Sequence, residues 1–151
     1  MLLDVLVLAA GKGTRMRSEL PKVLHPLAGK PLLAHVFSSV EALDSAAINV
    51  IVGHGKAQIQ TTFAEQSLNW IEQTAQLGTA HAVLQAIPFL RDEAKVLIVY
   101  GDVPLIENAT LEKMLTGVND DAMSLLTVEL ADPTGYGRIL RNQAGEVTGI
   151  V

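Results

Sequence analysis

Two short glycine-containing stretches carry most of the chemistry that this sequence could perform. The first runs Leu8-Ala-Ala-Gly-Lys-Gly-Thr-Arg-Met16, with Lys22 following Pro21. Glycine at 11 and 13 lets the backbone turn sharply and approach a ligand that a β-carbon would block. Successive backbone N–H groups in such a loop form a concavity for anions. Arg15 and Lys22 can then neutralise a triphosphate. Two glycines alone fit a loop that merely turns equally well. The second stretch is Tyr100-Gly-Asp-Val-Pro104. Asp102 emerges at the end of an apolar run, where a carboxylate is suited to holding Mg²⁺ against phosphate oxygens. Alone, Asp102 serves equally well to start a turn through Pro104. Together, each after a strand-like run, the two stretches favour phosphate chemistry over two unrelated turns.

Neither familiar phosphate loop fits. A dinucleotide fingerprint needs a third glycine where Met16 stands, and a P-loop needs a Gly-Lys-Ser/Thr ending that is absent. Charge points the same way as the glycines. The formal net charge of −5 argues against a nucleic-acid binder. Yet Lys12, Arg15, Arg17, Lys22 and Lys30 concentrate cations in one short stretch opposed only by Glu19, a pattern suited to a small anion. The absence of cysteine excludes disulfides, thiolate catalysis and cysteine metal sites. His25, His35, His54 and His81 lack metal-ligand spacing, with His54 read as a turn residue and His81 as part of a helix near the nucleotide. Asp92-Glu93 and Asp120-Asp121 read as solvated loop charges, and Trp70 as a packing residue. No apolar run approaches the roughly 18–20 residues of a membrane span. No secretory leader is visible. A cytoplasmic enzyme is the expectation.

The elements that must position these loops follow from hydrophobic pattern. With 49% hydrophobic residues but only 4% aromatic, the core must be aliphatic, as in a parallel sheet buried between helices. Asp4–Ala9 reads as a buried strand feeding a basic loop to about Pro21. Further strands are expected at 47–52, 68–72, 95–100 and 123–129, with short ones at 138–140 and 147–151 around a turn at 143–145. Helices are expected from Pro31 to about Leu43, over 58–64, from Thr79 (as N-cap) to about Phe89, and over 110–115. This alternation predicts a Rossmann-like, doubly wound, mostly parallel α/β sheet formed by residues 1–151 as one domain, with ligand at the C-terminal ends of the strands.

The order of Leu8–Met16 with Lys22, Gln73, Leu77-Gly-Thr-Ala80, Tyr100–Leu105 and Asp132-Pro-Thr-Gly-Tyr-Gly-Arg138 resembles a known family across essentially the whole chain. It is that of the N-terminal uridylyltransferase domain of the bacterial bifunctional N-acetylglucosamine-1-phosphate uridylyltransferase / glucosamine-1-phosphate acetyltransferase. The first motif is shared by many nucleotidyltransferases. Gln73 with Gly78-Thr79 and the Asp132–Arg138 segment are the specific part. The resemblance implies that the backbone of Leu8, Ala9, Ala10 and Gly11 lines the nucleoside, and that Gln73, Gly78 and Thr79 recognise the uracil edge. It further implies that Arg15 and Lys22 contact phosphates, that Asp102 binds Mg²⁺, that Tyr100 and Gly101 lie against the nucleotide-sugar, and that the Gly137 backbone holds the acetamido sugar. The implied reaction joins UTP to N-acetylglucosamine 1-phosphate and releases pyrophosphate, for cell-wall precursor synthesis.

In that family a glutamate and asparagines following Val-Thr-Gly-Ile-Val complete the metal and sugar sites, and here that segment ends the chain. The expectation is therefore a fragment with little or no turnover, lacking the left-handed β-helix acetyltransferase domain and the homotrimer interface that goes with it. Three rival readings stand beside this one. They are a cytidylyl- or guanylyltransferase of the same superfamily, a non-catalytic nucleotide-binding module, and a nicotinamide-dependent reductase, the last already disfavoured by Met16.

Overall fold

The computed structural model describes residues 2–13, 16–44, 47–119 and 121–151. Four parallel strands form its centre: β1 (Leu3–Ala9), β4 (Ala47–Val52), β5 (Asn69–Glu72) and β6 (Lys95–Tyr100), in the spatial order β5-β4-β1-β6. A two-strand ribbon, β2 (Pro26–Leu27) with β3 (Lys30–Pro31), follows the first loop and escaped the sequence reading. A second ribbon joins β7 (Ile139–Arg141) to β8 (Val147–Ile150), both antiparallel. The helices are α1 (Leu32–Glu41), α2 (Lys56–Thr62), α3 (Thr79–Ala86) and α4 (Asn108–Thr116).

β1 is apolar almost without interruption because both of its faces are covered. Leu3, Val5, Val7 and Ala9 point into one core, where they join Leu33, Val36, Phe37 and Val40 of α1, Ile59 of α2 and Leu111 of α4. The i, i+3, i+4, i+7 spacing of the four α1 residues is that of a helix stripe facing a sheet. Phe37 meets Phe63 edge to face, with ring centres 5.0 Å apart. Leu6 and Ala10 point the other way, into a smaller core with Ile51, Ile71 and the α3 residues Ala82 and Ala86. Helices therefore lie on both faces, and the doubly wound expectation stands.

Two sequence expectations need correction. Thr79 does not cap α3; the N-cap position belongs to Gly78, with φ 99°, and Thr79 is the first helical residue. Residues 123–129 carry a strand-like composition but form no strand. A strand exists only through a hydrogen-bonded partner, and no ladder reaches this segment, whose Met123 and Val128 side chains are 80% and 72% exposed.

Asp4 anchors the start of β1. Its side chain is buried, and it receives hydrogen bonds from the Arg91 backbone N–H at 3.0 Å and from the guanidinium Nη2 at 2.6 Å. Arg91 also donates to Leu3 O at 3.1 Å, so one residue ties the chain after α3 to the first strand. Burial pushes the Asp4 carboxyl upward, but the Arg91 side-chain and backbone hydrogen bonds and its charge outweigh this and hold it below the ordinary carboxylate range. The folded-state value is thus depressed relative to the unfolded value of about 3.9. The stabilisation is complete above that value and is lost as pH falls through the folded one. Asp4→Ala is expected to cost about 2–3 kcal/mol at neutral pH, since it leaves donors without their acceptor. Urea denaturation of both chains should show the difference shrinking below about pH 4.

Candidate active site

The order β5-β4-β1-β6 places the reversal of chain direction between β1 and β6. After β1 the chain winds outward through β4 and β5, then returns to the other side of β1. The loops leaving β1 and β6 must therefore diverge, and a crevice opens at their C-terminal ends. An open cleft of about 260 Å³ lies there. Its lining includes Leu8, Ala9, Ala10 and Gly11 from the end of β1, Gln73, Gly78 and Thr79 from the β5–α3 connection, and Lys22, Tyr100 and Asp102.

These are residues that the sequence singles out, and the fold draws them from positions 8 to 102 into one place. Gly101 is buried beneath the cleft, its N–H donating to Leu8 O at 2.9 Å and extending the β1–β6 ladder by one residue. Gly137 is not brought to the cleft. It packs instead beside the β7–β8 ribbon, where a β-carbon on it would lie 3.4 Å from Ile150 Cγ2. Arg15 lies outside the described residues, as does Asp120.

The charged centre is Lys22 with Asp102, whose Nζ and Oδ2 are 2.5 Å apart. Both side chains are partly exposed, at 35% and 29%, so the pair sits at the cleft wall within reach of an incoming anion. Lys22 opens a 3₁₀ turn, Lys22–Leu24, whose Val23 and Leu24 are buried in the larger core. Two glycines fix where that turn can lie. Gly13, at φ +59°, packs so closely that a β-carbon would stand 2.8 Å from Lys22 Cβ. Gly55, at φ +73° after β4, packs on Pro21, where a β-carbon would stand 2.2 Å from Cγ. The segment 21–22 is thus wedged between the loop that follows β1 and the loop that follows β4. Backbone conformation at both glycines, not only bulk, excludes a side chain.

Val23, Gln76 and Ala82 also line the cleft and were not foreseen. Gln76 Nε2 donates to Ala10 O at 2.8 Å, joining the β5–α3 connection to the loop after β1 across the top of the sheet. A signal for Ala82 existed, since it lies three residues beyond Thr79 on the same helix face. Nothing in spacing marked Gln76, because its partner is sixty-six positions away. The histidines keep apart: His25 and His35 contact backbone carbonyls of Leu20 and Leu27, and His81 contacts Gln73. Among the described residues, no cluster of three or more His, Cys, Asp or Glu could hold a metal. Among them, too, no helix is long and apolar enough to cross a membrane.

A parallel sheet of this order with a cleft at its switch point is a doubly wound α/β architecture, and the chain belongs to a nucleotidyltransferase class, the MobA-like NTP transferase domain family, which it matches over residues 5–147. Within that class its strong likeness is to bifunctional protein GlmU. It is 55% identical to that of Cellvibrio japonicus over 150 residues, 99% of this chain, and 55% identical to that of Idiomarina loihiensis over all 151. The chain spans 33% of the length of each of these curated relatives. Among solved structures, HddC from Yersinia pseudotuberculosis complexed with GMP-PN shares the fold, with a TM-score of 0.75 over 98% of this chain and 68% of that one, at 22% identity.

Gly55→Ala is expected to destabilise the protein by about 1–3 kcal/mol, combining left-handed backbone cost with overpacking on Pro21. The checks are a lowered midpoint in urea and, by NMR, displaced amide signals at Lys22 and Val23.

Proposed function

We propose that this chain forms the nucleotide-binding part of a uridylyltransferase that joins UTP to N-acetylglucosamine 1-phosphate. The observation that carries this reading is the convergence on one cleft of the Leu8–Gly11 backbone, the Gln73/Gly78-Thr79 group and the Lys22–Asp102 pair. Identity of 55% to proteins named GlmU supports the particular substrates. In this reading the nucleoside lies along Leu8–Gly11, with its base edge toward Gln73, Gly78 and Thr79, and the nucleotide-sugar against Tyr100 and Gly101. Lys22 contacts the triphosphate, and the same role is proposed for Arg15.

The reaction needs no general base. A phosphate oxygen of the sugar phosphate, already ionised near neutral pH, attacks the α-phosphorus of UTP. The bond from that phosphorus to the bridging oxygen breaks, and pyrophosphate leaves with the electron pair. What the protein supplies is alignment of attacking and leaving oxygens and neutralisation of charge. Lys22 can release Asp102 and follow the phosphates, since the pair is partly solvated and a triphosphate carries more negative charge than one carboxylate.

The donor set fits Mg²⁺ in one specific way. Asp102 Oδ2 is held by Lys22, while Oδ1 has no hydrogen-bond partner among the described residues. A single hard oxygen donor suits an ion that keeps several waters and takes further ligands from substrate phosphates, as Mg²⁺ does. Asp102 would hold the ion, whose chemistry there would be neutralisation of negative charge on the phosphates. Asp102 also explains why a mere nucleotide sensor is the weaker reading, because a sensor has no need of a metal-aligned triphosphate.

The test is a ¹⁵N–¹H NMR titration with UTP, CTP, GTP and ATP, each with Mg²⁺. Selective shifts with UTP around Leu8–Gly13 and Gln73–Thr79 are expected. A clear preference for CTP or GTP would instead make the chain a cytidylyl- or guanylyltransferase domain. Asp102→Asn is expected to remove the Mg²⁺ dependence of UTP affinity while leaving a dispersed, folded spectrum. Unchanged Mg²⁺ dependence in that variant would refute the metal role of Asp102.

A further inference from the structure

We propose that His81 is a positioning residue that fixes the hydrogen-bonding polarity of Gln73, and thereby makes the cleft choose uracil over cytosine. The inference rests on the uridylyl reading above and extends it to a residue that touches no substrate atom.

Gln73 is a buried polar side chain, 5% exposed, on the cleft wall. Its Nε2 lies 3.1 Å from Gly78 O and 3.0 Å from His81 Nδ1. The first contact decides the orientation of the amide. A peptide carbonyl can only accept, so the nitrogen and not the oxygen must face Gly78. An amide nitrogen carries two hydrogens, and both are then committed: one to Gly78 O and one to His81 Nδ1. His81 Nδ1 must consequently be the bare, accepting nitrogen of a neutral ring, and the ring proton sits on Nε2.

On the other side of the ring His81 Nε2 lies 3.3 Å from Gln85 Nε2, one turn further along α3. An amide nitrogen is a donor, so a protonated His81 Nε2 requires the Gln85 amide to be turned over, which puts its Oε1 in that place. The result is a chain of contacts in which Gly78 O orients the Gln73 amide, the amide fixes the His81 tautomer, and His81 Nδ1 gives the amide its second anchor.

What remains of Gln73 is its Oε1, which meets no protein donor among the described residues. It is also absent from the sealed, unpartnered polar atoms. It therefore offers the cleft a pure acceptor. Uracil presents an N–H at N3, whereas cytosine presents a lone pair at the same place in a ring of nearly the same shape. An acceptor held rigidly toward that position bonds the first and repels the second. Shape cannot separate these two bases; amide polarity can. Held by Gly78 alone, the amide keeps one of its two anchors, and turning its nitrogen toward the cleft costs one hydrogen bond instead of two.

The experiment measures the dissociation constants of UTP and CTP for this 151-residue chain, for His81→Phe, and for His81→Asn. Phenylalanine keeps the ring but offers no acceptor, and asparagine restores one close to the Nδ1 position. The UTP-to-CTP preference is expected to fall about tenfold in His81→Phe and to recover in His81→Asn. A merely structural role would weaken both nucleotides alike, so an unchanged ratio in His81→Phe overturns the inference. The tautomer is read independently from the imidazole ¹⁵N shifts of the unsubstituted chain, which requires no variant to fold. A bare Nδ1 with protonated Nε2 is expected, and a protonated Nδ1 overturns the inference whatever the nucleotides do. If the tautomer is as expected but the unsubstituted chain binds CTP as tightly as UTP, it is the uridylyl reading that fails, and the selectivity assigned to His81 falls with it.

Discussion

β1 is hydrogen-bonded in parallel to β4 on one side and to β6 on the other, in continuous register from Leu3 to Ala9. Most of the molecule is a consequence of that double pairing. A strand paired on both edges and packed on both faces can hold only apolar side chains along its length, and its polar backbone must be satisfied within the sheet. The one charged residue it contains, Asp4, sits at its beginning and is matched by Arg91. At the far end the same pairing leaves the chain nowhere to go but over the sheet's edge, between two neighbours whose connections run in opposite directions. The cleft is the geometrical remainder of this arrangement.

The loop leaving β1 is then fixed from three sides. Gln76 holds the carbonyl of Ala10, Gly13 lets the chain lie against Lys22, and Gly55 lets Pro21 lie against the loop after β4. Together they hold a cation on a short turn opposite Asp102, just beyond β6. Val23 and Leu24 anchor that turn in the larger core, so the position of Lys22 is coupled to the packing of α1. The described part of the site is attached to the sheet at several points.

Burial and polarity meet differently at Gln73. Its backbone N–H extends the β4–β5 ladder by donating to Val52 O at 2.8 Å, which carries the side chain to the cleft with little freedom. A buried amide has to find partners for its nitrogen. The partners it finds, Gly78 and His81, belong to the start of α3, so the same helix that covers the sheet also orients this amide on the cleft wall.

The strands 47–52 and 95–100 were legible to the residue, because buried parallel strands read as unbroken apolar runs closed by glycine. The fold class followed from their alternation with helical stripes, and the glycine loop, Lys22 and Asp102 were legible as groups suited to phosphate. Local sequence failed where a partner decides the outcome. Residues 123–129 have the composition of a strand but no ladder, and Thr79 yields the cap position to the left-handed backbone of Gly78. The pairing of Lys22 with Asp102 spans eighty positions, and that of Gln76 with Ala10 sixty-six. Sequence by itself determined which groups were available and which segments had to be buried, since both follow from side-chain chemistry and short-range period. Only the tertiary structure decided which groups meet, because strand order and loop closure bring together residues that no local pattern relates.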